Sequence, residues 1–179
     1  LTVLSPAGEI RVEMAVSDAG KAFFSVLFND LPVIENSPLG IIREDADFYS
    51  GLKLDSVSGV TDVKETYSLL YGKTKEAGYE ANRRVFHLSN SSGEQMDVIF
   101  QVSDDGVAFS YSFPGVSDNV KKIVSEKTGF NFVAGTTGWI QPKAASKTGW
   151  NQCEPAYEEN YLEEVHLDSI TPRVNGWVL

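Results

Sequence analysis

The chain has 179 residues, 42% of them hydrophobic and 11% aromatic, which suits a folded domain with a well-filled core and argues against disorder. Asp and Glu number 25 against 15 Lys and Arg, a formal charge of −10 that repels phosphate backbones and anionic lipid, so nucleic acid and membrane are poor partners. A neutral sugar or a cation is compatible with that balance.

The first strand is "EIRVEMAV" at 9–16, where Ile10, Val12, Met14 and Val16 share one face and Arg11 and Glu13 the other. "SDAGK" turns the chain into "AFFSVLF" at 22–28, and "ND" turns it again into "LPVIE", giving successive hairpins. Pro32 restricts this third segment to an edge or a strand start, because it cannot donate to a ladder on both sides. "SPLG" marks the step into "IIRE". From Asp45 to Gly59 the alternation fades, which predicts an irregular connection.

Extended character returns at "ETYSLLYG", followed by a polar turn at "KTKEAG". "ANRRVFHLS", "EQMDVIFQV" and "GVAFSYSF" come next, separated by "NSSG" and "SDDG", whose Gly, Asn and Asp accept the positive φ of tight turns. Met96, Val98, Phe100 and Val102 share a face, as do Val107, Phe109, Tyr111 and Phe113. No segment carries a sustained 3.6-residue apolar stripe. The expected fold is all-β, an antiparallel sandwich with Ile10, Val12, Phe24, Val98, Phe100, Phe109 and Tyr111 in its core. The region from Gly129 to Glu164 is expected to form long loops over one end. The chain starts at Leu1 rather than Met, and the closing "RVNGWVL" alternates like a strand, so we expect a part of something larger.

Few residues suit nucleophilic or zinc chemistry. Cys153 is the single cysteine, which rules out an internal disulfide. His87 lies in a strand pattern and His166 follows an acidic run, without zinc spacing. "NSS" at Asn90 fits a glycosylation acceptor but occupies a hairpin turn. The crowded segment is "NQCEPAYEENYLEE" at 151–164, with Glu154, Glu158, Glu159, Glu163 and Glu164 interleaved with Tyr157 and Tyr161. Carboxylates there could supply one or two of calcium's six to eight oxygen ligands, or accept hydrogen bonds from sugar hydroxyls. Trp139, Trp150, Tyr157 and Tyr161 could stack on a pyranose face. A solvated acidic loop with aromatic anchors explains the same composition.

The succession "SPLGI", "DDGVAFSYSFP" and "WNQCEPAYEENY" resembles the amino-terminal domain of glycoside hydrolase family 97, as do "LSPAGEIRVEMAV" and "ETYSLLYGK…YEANRRVF". The resemblance runs over nearly the whole chain. It implies a β-super-sandwich similar to galactose mutarotase, cut short here at its C-terminal end, followed in the family by a catalytic (β/α)₈ barrel. It implies an exported, periplasmic or secreted bacterial α-glucosidase or α-galactosidase acting on α-linked oligosaccharide. It also implies that a glutamate of this domain helps the barrel hold Ca²⁺ beside the sugar. "YEENY" matches the family segment best with Glu158 as that calcium ligand, and with Glu159 if the register shifts by one; Trp150, Tyr157 and Tyr161 are the corresponding substrate-binding candidates. The catalytic carboxylates of the family belong to the barrel, so none is assigned here. A free-standing carbohydrate-binding module and a mutarotase-type enzyme using a histidine and a glutamate are the other readings.

Overall fold

The computed structural model describes residues 1–142, 162–170 and 177–178. It divides into two compact units, Leu1–Asn131 and Phe132–Leu179. Among the described residues there is no α-helix, only strands and one 3₁₀ turn.

The first unit opens with β1 (Thr2–Leu4), β2 (Ile10–Val16), β3 (Ala22–Phe28) and β4 (Leu31–Leu39), an antiparallel sheet in that order. The β3–β4 hairpin closes through Asn29 and Asp30, both at positive φ (50° and 64°). Two left-handed residues give a turn whose twist matches that of the strands, and Asn and Asp tolerate that conformation best among residues with a Cβ. The edge position expected from Pro32 is the one β4 occupies. At the β2–β3 turn Gly20 (φ 69°) lies against the backbone of Gly51 and Leu52, where a Cβ would come within 2.7 Å. Only glycine satisfies both conditions.

β5 (Ile41–Arg43) and β6 (Asp47–Phe48) join β12 (Ile123–Glu126) in a small sheet. The larger sheet is β11 (Gly106–Ser112), β10 (Gln95–Ser103), β9 (Glu76–Ser89) and β7 (Lys53–Val57), with β8 (Thr61–Ser68) also pairing β9. The expected irregular stretch from Asp45 to Gly59 therefore contains β6 and β7. β7 escapes a period-two reading because its pairing with β9 shifts between Leu54 and Ser56, which breaks the alternation.

The two larger sheets of this unit bury a common core. Val3, Val12, Met14 and Phe24 come from one, Phe86, Leu88, Met96, Val98 and Phe100 from the other. All of these are almost wholly buried. Of the seven core residues expected, Ile10, Val12, Phe24, Val98 and Phe100 are buried, while Phe109 and Tyr111 pack against them half-buried. The Tyr111 hydroxyl accepts from the Gly40 amide (2.9 Å) and shares a hydrogen bond with the Thr128 hydroxyl (2.6 Å), so its polar end is satisfied and its ring is free to pack.

A buried cation ties the small sheet together. The Arg43 guanidinium lies over the rings of Phe48 and Phe113 (5.1 and 4.7 Å) and donates to Asp45 from Nε and Nη2 (2.8 and 3.0 Å). Lys121 also donates to Asp45. The hydrogen bonds from Arg43 and then Lys121 hold the Asp45 carboxyl well below the usual carboxylate range. A depressed pKa stabilises the folded state above the unfolded value, about 3.9, and that contribution fades as pH falls toward the folded value. Asp45→Asn is therefore expected to lower stability at neutral pH, with the gap from the wild type closing below about pH 4. Urea unfolding across pH checks this; a gap that stays constant down to pH 2 would contradict it.

The second unit has β13 (Thr137–Pro142) paired on one side with β14 (Leu162–His166) and on the other with β15 (Trp177–Val178). β13 and the start of β14 replace part of the loop region expected between Gly129 and Glu164. β15 falls within the terminal segment read as extended.

Candidate functional site

The candidates Trp150, Tyr157, Glu158, Glu159 and Tyr161 lie outside the described residues, as do Cys153 and Glu154. What the structure defines is the frame from which their segment departs. β13 and β14 are antiparallel neighbours, with Thr137 opposite His166, Gly138 opposite Val165 and Ile140 opposite Leu162. Ile140 and Leu162 thus pair at the end of the ladder nearest residues 143–161 in the sequence.

That ladder contains a bulge. Between the Gly138–Val165 and Ile140–Leu162 pairs, Trp139 stands opposite two residues, Glu163 and Glu164. Glu164 adopts φ 52°, a left-handed conformation uncommon for a glutamate. Bulges re-aim side chains, and they occur often beside active sites. Trp139 is 68% exposed and both glutamates are exposed, whereas Ile140 next to Trp139 is buried. An uncovered indole and two carboxylates thus share the base of the acidic segment. The entry to β13 is held within the same unit: Asp168 Oδ2 accepts from the Gly135 amide (3.0 Å), and Leu167 N donates to Thr136 O (2.9 Å).

The histidines take different surroundings. His166 ends β14 and is exposed. His87 sits on β9 opposite Asp97 of β10, and its Nδ1 hydrogen-bonds Asp97 Oδ1 at 2.7 Å. The pair borders a groove of about 370 Å³ lined also by Asp55, Ser56, Gln95 and Pro114. Asp97 was missed in the sequence reading: taking "NSSG" as the whole turn pairs His87 with Met96, whereas the hairpin pairs Ser89 with Gln95 and so His87 with Asp97. A mutarotase-type pair would need a glutamate across a sugar from the histidine, and the groove lining contains none among the described residues.

Asn90 is engaged within its own turn. Its Oδ1 accepts from the Ser92 and Glu94 amides (3.0 and 2.9 Å), and its Nδ2 donates to Asp47 O (3.0 Å). With the side chain buried, the amide nitrogen that a glycan would take is already in use.

Among the described residues no group of three or more His, Cys, Asp or Glu could hold a metal. Calcium needs more oxygen ligands than one or two carboxylates supply, so Glu158 and Glu159 fit such a site only as part of a larger ligand set.

Comparison with known proteins agrees with this architecture. The family model described as "Glycosyl-hydrolase 97 N-terminal" matches residues 3–178. A "Probable retaining alpha-galactosidase" of Streptomyces bingchenggensis (strain BCW-1) is 33% identical over 108 residues, 60% of this chain and 16% of that protein. A beta-arabinopyranosidase crystal structure superposes on 100% of this chain and 28% of its own, at TM-score 0.89 and 30% identity. A glycoside hydrolase family 97 enzyme from Pseudoalteromonas sp. strain K8, in complex with panose, matches 79% of this chain and 22% of its own, at TM-score 0.71 and 25% identity. The same enzyme was also solved in complex with acarbose, with equal similarity. The chain thus spans less than a third of the length of each of these relatives. With the family model covering nearly every residue of a largely β chain, this chain belongs to the glycoside hydrolase family 97 N-terminal domains.

Proposed function

We propose that this domain serves an exported α-glycosidase as a non-catalytic partner of its (β/α)₈ catalytic barrel, bringing the acidic–aromatic segment 150–164 to the sugar site. The observation that carries the reading is the β13–β14 bulge, which sets exposed Trp139 against Glu163 and Glu164 on the two strands that residues 143–161 connect. Indole faces stack on apolar sugar faces and carboxylates accept from sugar hydroxyls, so the pairing suits an α-linked oligosaccharide. The panose and acarbose complexes of the related enzyme are in keeping with that ligand class.

In this reading Glu158, with Glu159 as the neighbouring candidate, donates a carboxylate to a calcium ion whose other ligands come from the barrel. When bound, the ion would supply positive charge beside the sugar. Trp150, Tyr157 and Tyr161 are assigned to sugar contact, and the enzyme is placed in the periplasm or outside the cell.

This chain by itself is expected to hydrolyse no glycoside. Glycosidases of this kind use two carboxyl groups flanking the scissile bond, one of them with a raised pKa. Among the described acids, the resolved carboxyl shifts at Asp45 and Asp47 are downward. Assays of the 179-residue chain with aryl α-glucoside and α-galactoside should show no turnover. A longer polypeptide carrying the barrel should turn over at least one of them. Turnover by the short chain that vanishes on Glu158→Gln or Glu159→Gln would contradict the reading.

A further inference from the structure

The β8–β9 pair extends beyond the sheet that carries it. β10 pairs β9 only from Ala81 to Ser89, and β7 only from Phe86 to Ser89. The five pairs from Lys64–Glu80 to Ser68–Glu76 therefore have no further strand on either side among the described residues. They form a two-stranded arm, a structure only marginally stable in water without support. Its turn is closed by Leu69 N donating to Lys75 O (2.7 Å), and Ser68 Oγ donates to Glu76 Oε1 (2.8 Å).

The tip of this arm is apolar and bare. Leu70 is 98% exposed and Tyr71 88%, beside Tyr67 at 51% and Leu69 at 42%. A polar arm would cost less, so the sequence points to a covering surface. We propose that Tyr67, Leu69, Leu70 and Tyr71 form a docking tip that packs onto the catalytic portion of the same polypeptide, a proposal that rests on the glycosidase reading above.

Size and charge favour an occupant on the same polypeptide over a second copy. Four such side chains at these exposures offer on the order of 500 Å², the scale of a functional surface patch. A free-standing dimer usually buries about 800 Å² on each partner. Intramolecular docking needs less, since covalent connection raises the effective concentration of the partner surface. The segment 64–80 carries three lysines and three glutamates and is neutral, whereas the chain as a whole is at −10, so a second copy brings net repulsion. Relatives of which this chain covers 28%, 22% and 16% have ample further polypeptide to supply the surface.

Hydroxyl-radical footprinting tests the proposal, comparing Leu70 and Tyr71 in the 179-residue chain and in the longer polypeptide. The expected result is at least about tenfold slower oxidation in the longer form, independent of protein concentration. Equal oxidation in the two forms would overturn the proposal, and protection of the short chain that rises with its concentration would assign the tip to self-association instead. Leu70→Ser with Tyr71→Ser should lower the Tm of the longer polypeptide and leave that of the short chain unchanged; an equal shift in both would also overturn it. Aryl α-glycoside hydrolysis on the same samples separates the two readings. Hydrolysis with an unprotected tip defeats the docking alone, and a protected tip without hydrolysis defeats the glycosidase assignment while keeping the intramolecular contact.

Discussion

Glu158→Gln in the longer enzyme is expected to lower both activity and calcium dependence, with little change in folding. The substitution keeps the side chain's length and one carbonyl oxygen but removes a full negative charge. Calcium affinity depends on how many ligands are charged and how rigidly they are held. Loss of one anionic ligand should raise the calcium concentration needed for half-maximal activity by about ten- to a hundredfold, the range seen when groups supporting a metal are removed. Saturating calcium should restore part of the rate, because the residues proposed for sugar contact are untouched. The check is a calcium titration of initial rates for wild type, Glu158→Gln and Glu159→Gln. If Glu159→Gln alone shifts the curve, the ligand is Glu159 and the register of the segment is one residue off. If neither shifts it, this domain contributes no ligand.

Phe100→Ala is the core substitution expected to cost most. Phe100 is wholly buried at the middle of β10 and has ring contacts to Phe24, Phe86 and Phe109 at 5.8, 5.9 and 5.7 Å. These partners come from both sheets of the sandwich and from β11, so the cavity left behind borders three strands besides its own. Close-packed neighbours relax only in part, and Phe→Ala changes in cores cost about 3–5 kcal/mol. For a chain of this size that corresponds to a fall in Tm of roughly 10 °C. Val116→Ala is the matched control. Val116 is fully exposed, and surface changes of that kind usually stay within about 0.5 kcal/mol. Similar midpoints for the two variants in urea unfolding would mean that the two larger sheets do not share the core described here.

The sandwich was legible in the sequence wherever one face of a strand is buried and the next residue is not. β2 and β3 show that alternation without interruption and β10 shows it from Met96 to Val102, and Asn29-Asp30, "NSSG" and "SDDG" mark their turns. Where the structure departs from regular pairing the pattern fails. β7 pairs through a register shift. β13 buries both Ile140 and Gln141, two successive residues, which no period-two reading anticipates. β14 is rich in acids and is recognisable only by its partner. The Arg43 site was hidden for another reason, since it joins Asp45, Phe48, Phe113 and Lys121 from well-separated stretches of chain.

The candidate site was visible as composition, carboxylates and aromatics crowded into residues 151–164, but composition does not say what faces them. The bulge that puts Trp139 opposite Glu163 and Glu164 depends on strand register, which the sequence leaves open once alternation is lost. The arm ending at Leu70 and Tyr71 was read as extended, yet its reach past the sheet follows only from where β10 stops pairing with β9.

The central claim is that this domain gives a calcium-ligating carboxylate to a site completed elsewhere in the polypeptide. Isothermal calorimetric titration of calcium into the 179-residue chain, the longer enzyme and its Glu158→Gln variant tests it most directly. The account predicts weak or no binding by the short chain, one tight site in the longer enzyme, and a clear loss of affinity in the variant. Tight binding by the short chain, or unchanged affinity in the variant with Glu159→Gln equally silent, would contradict it.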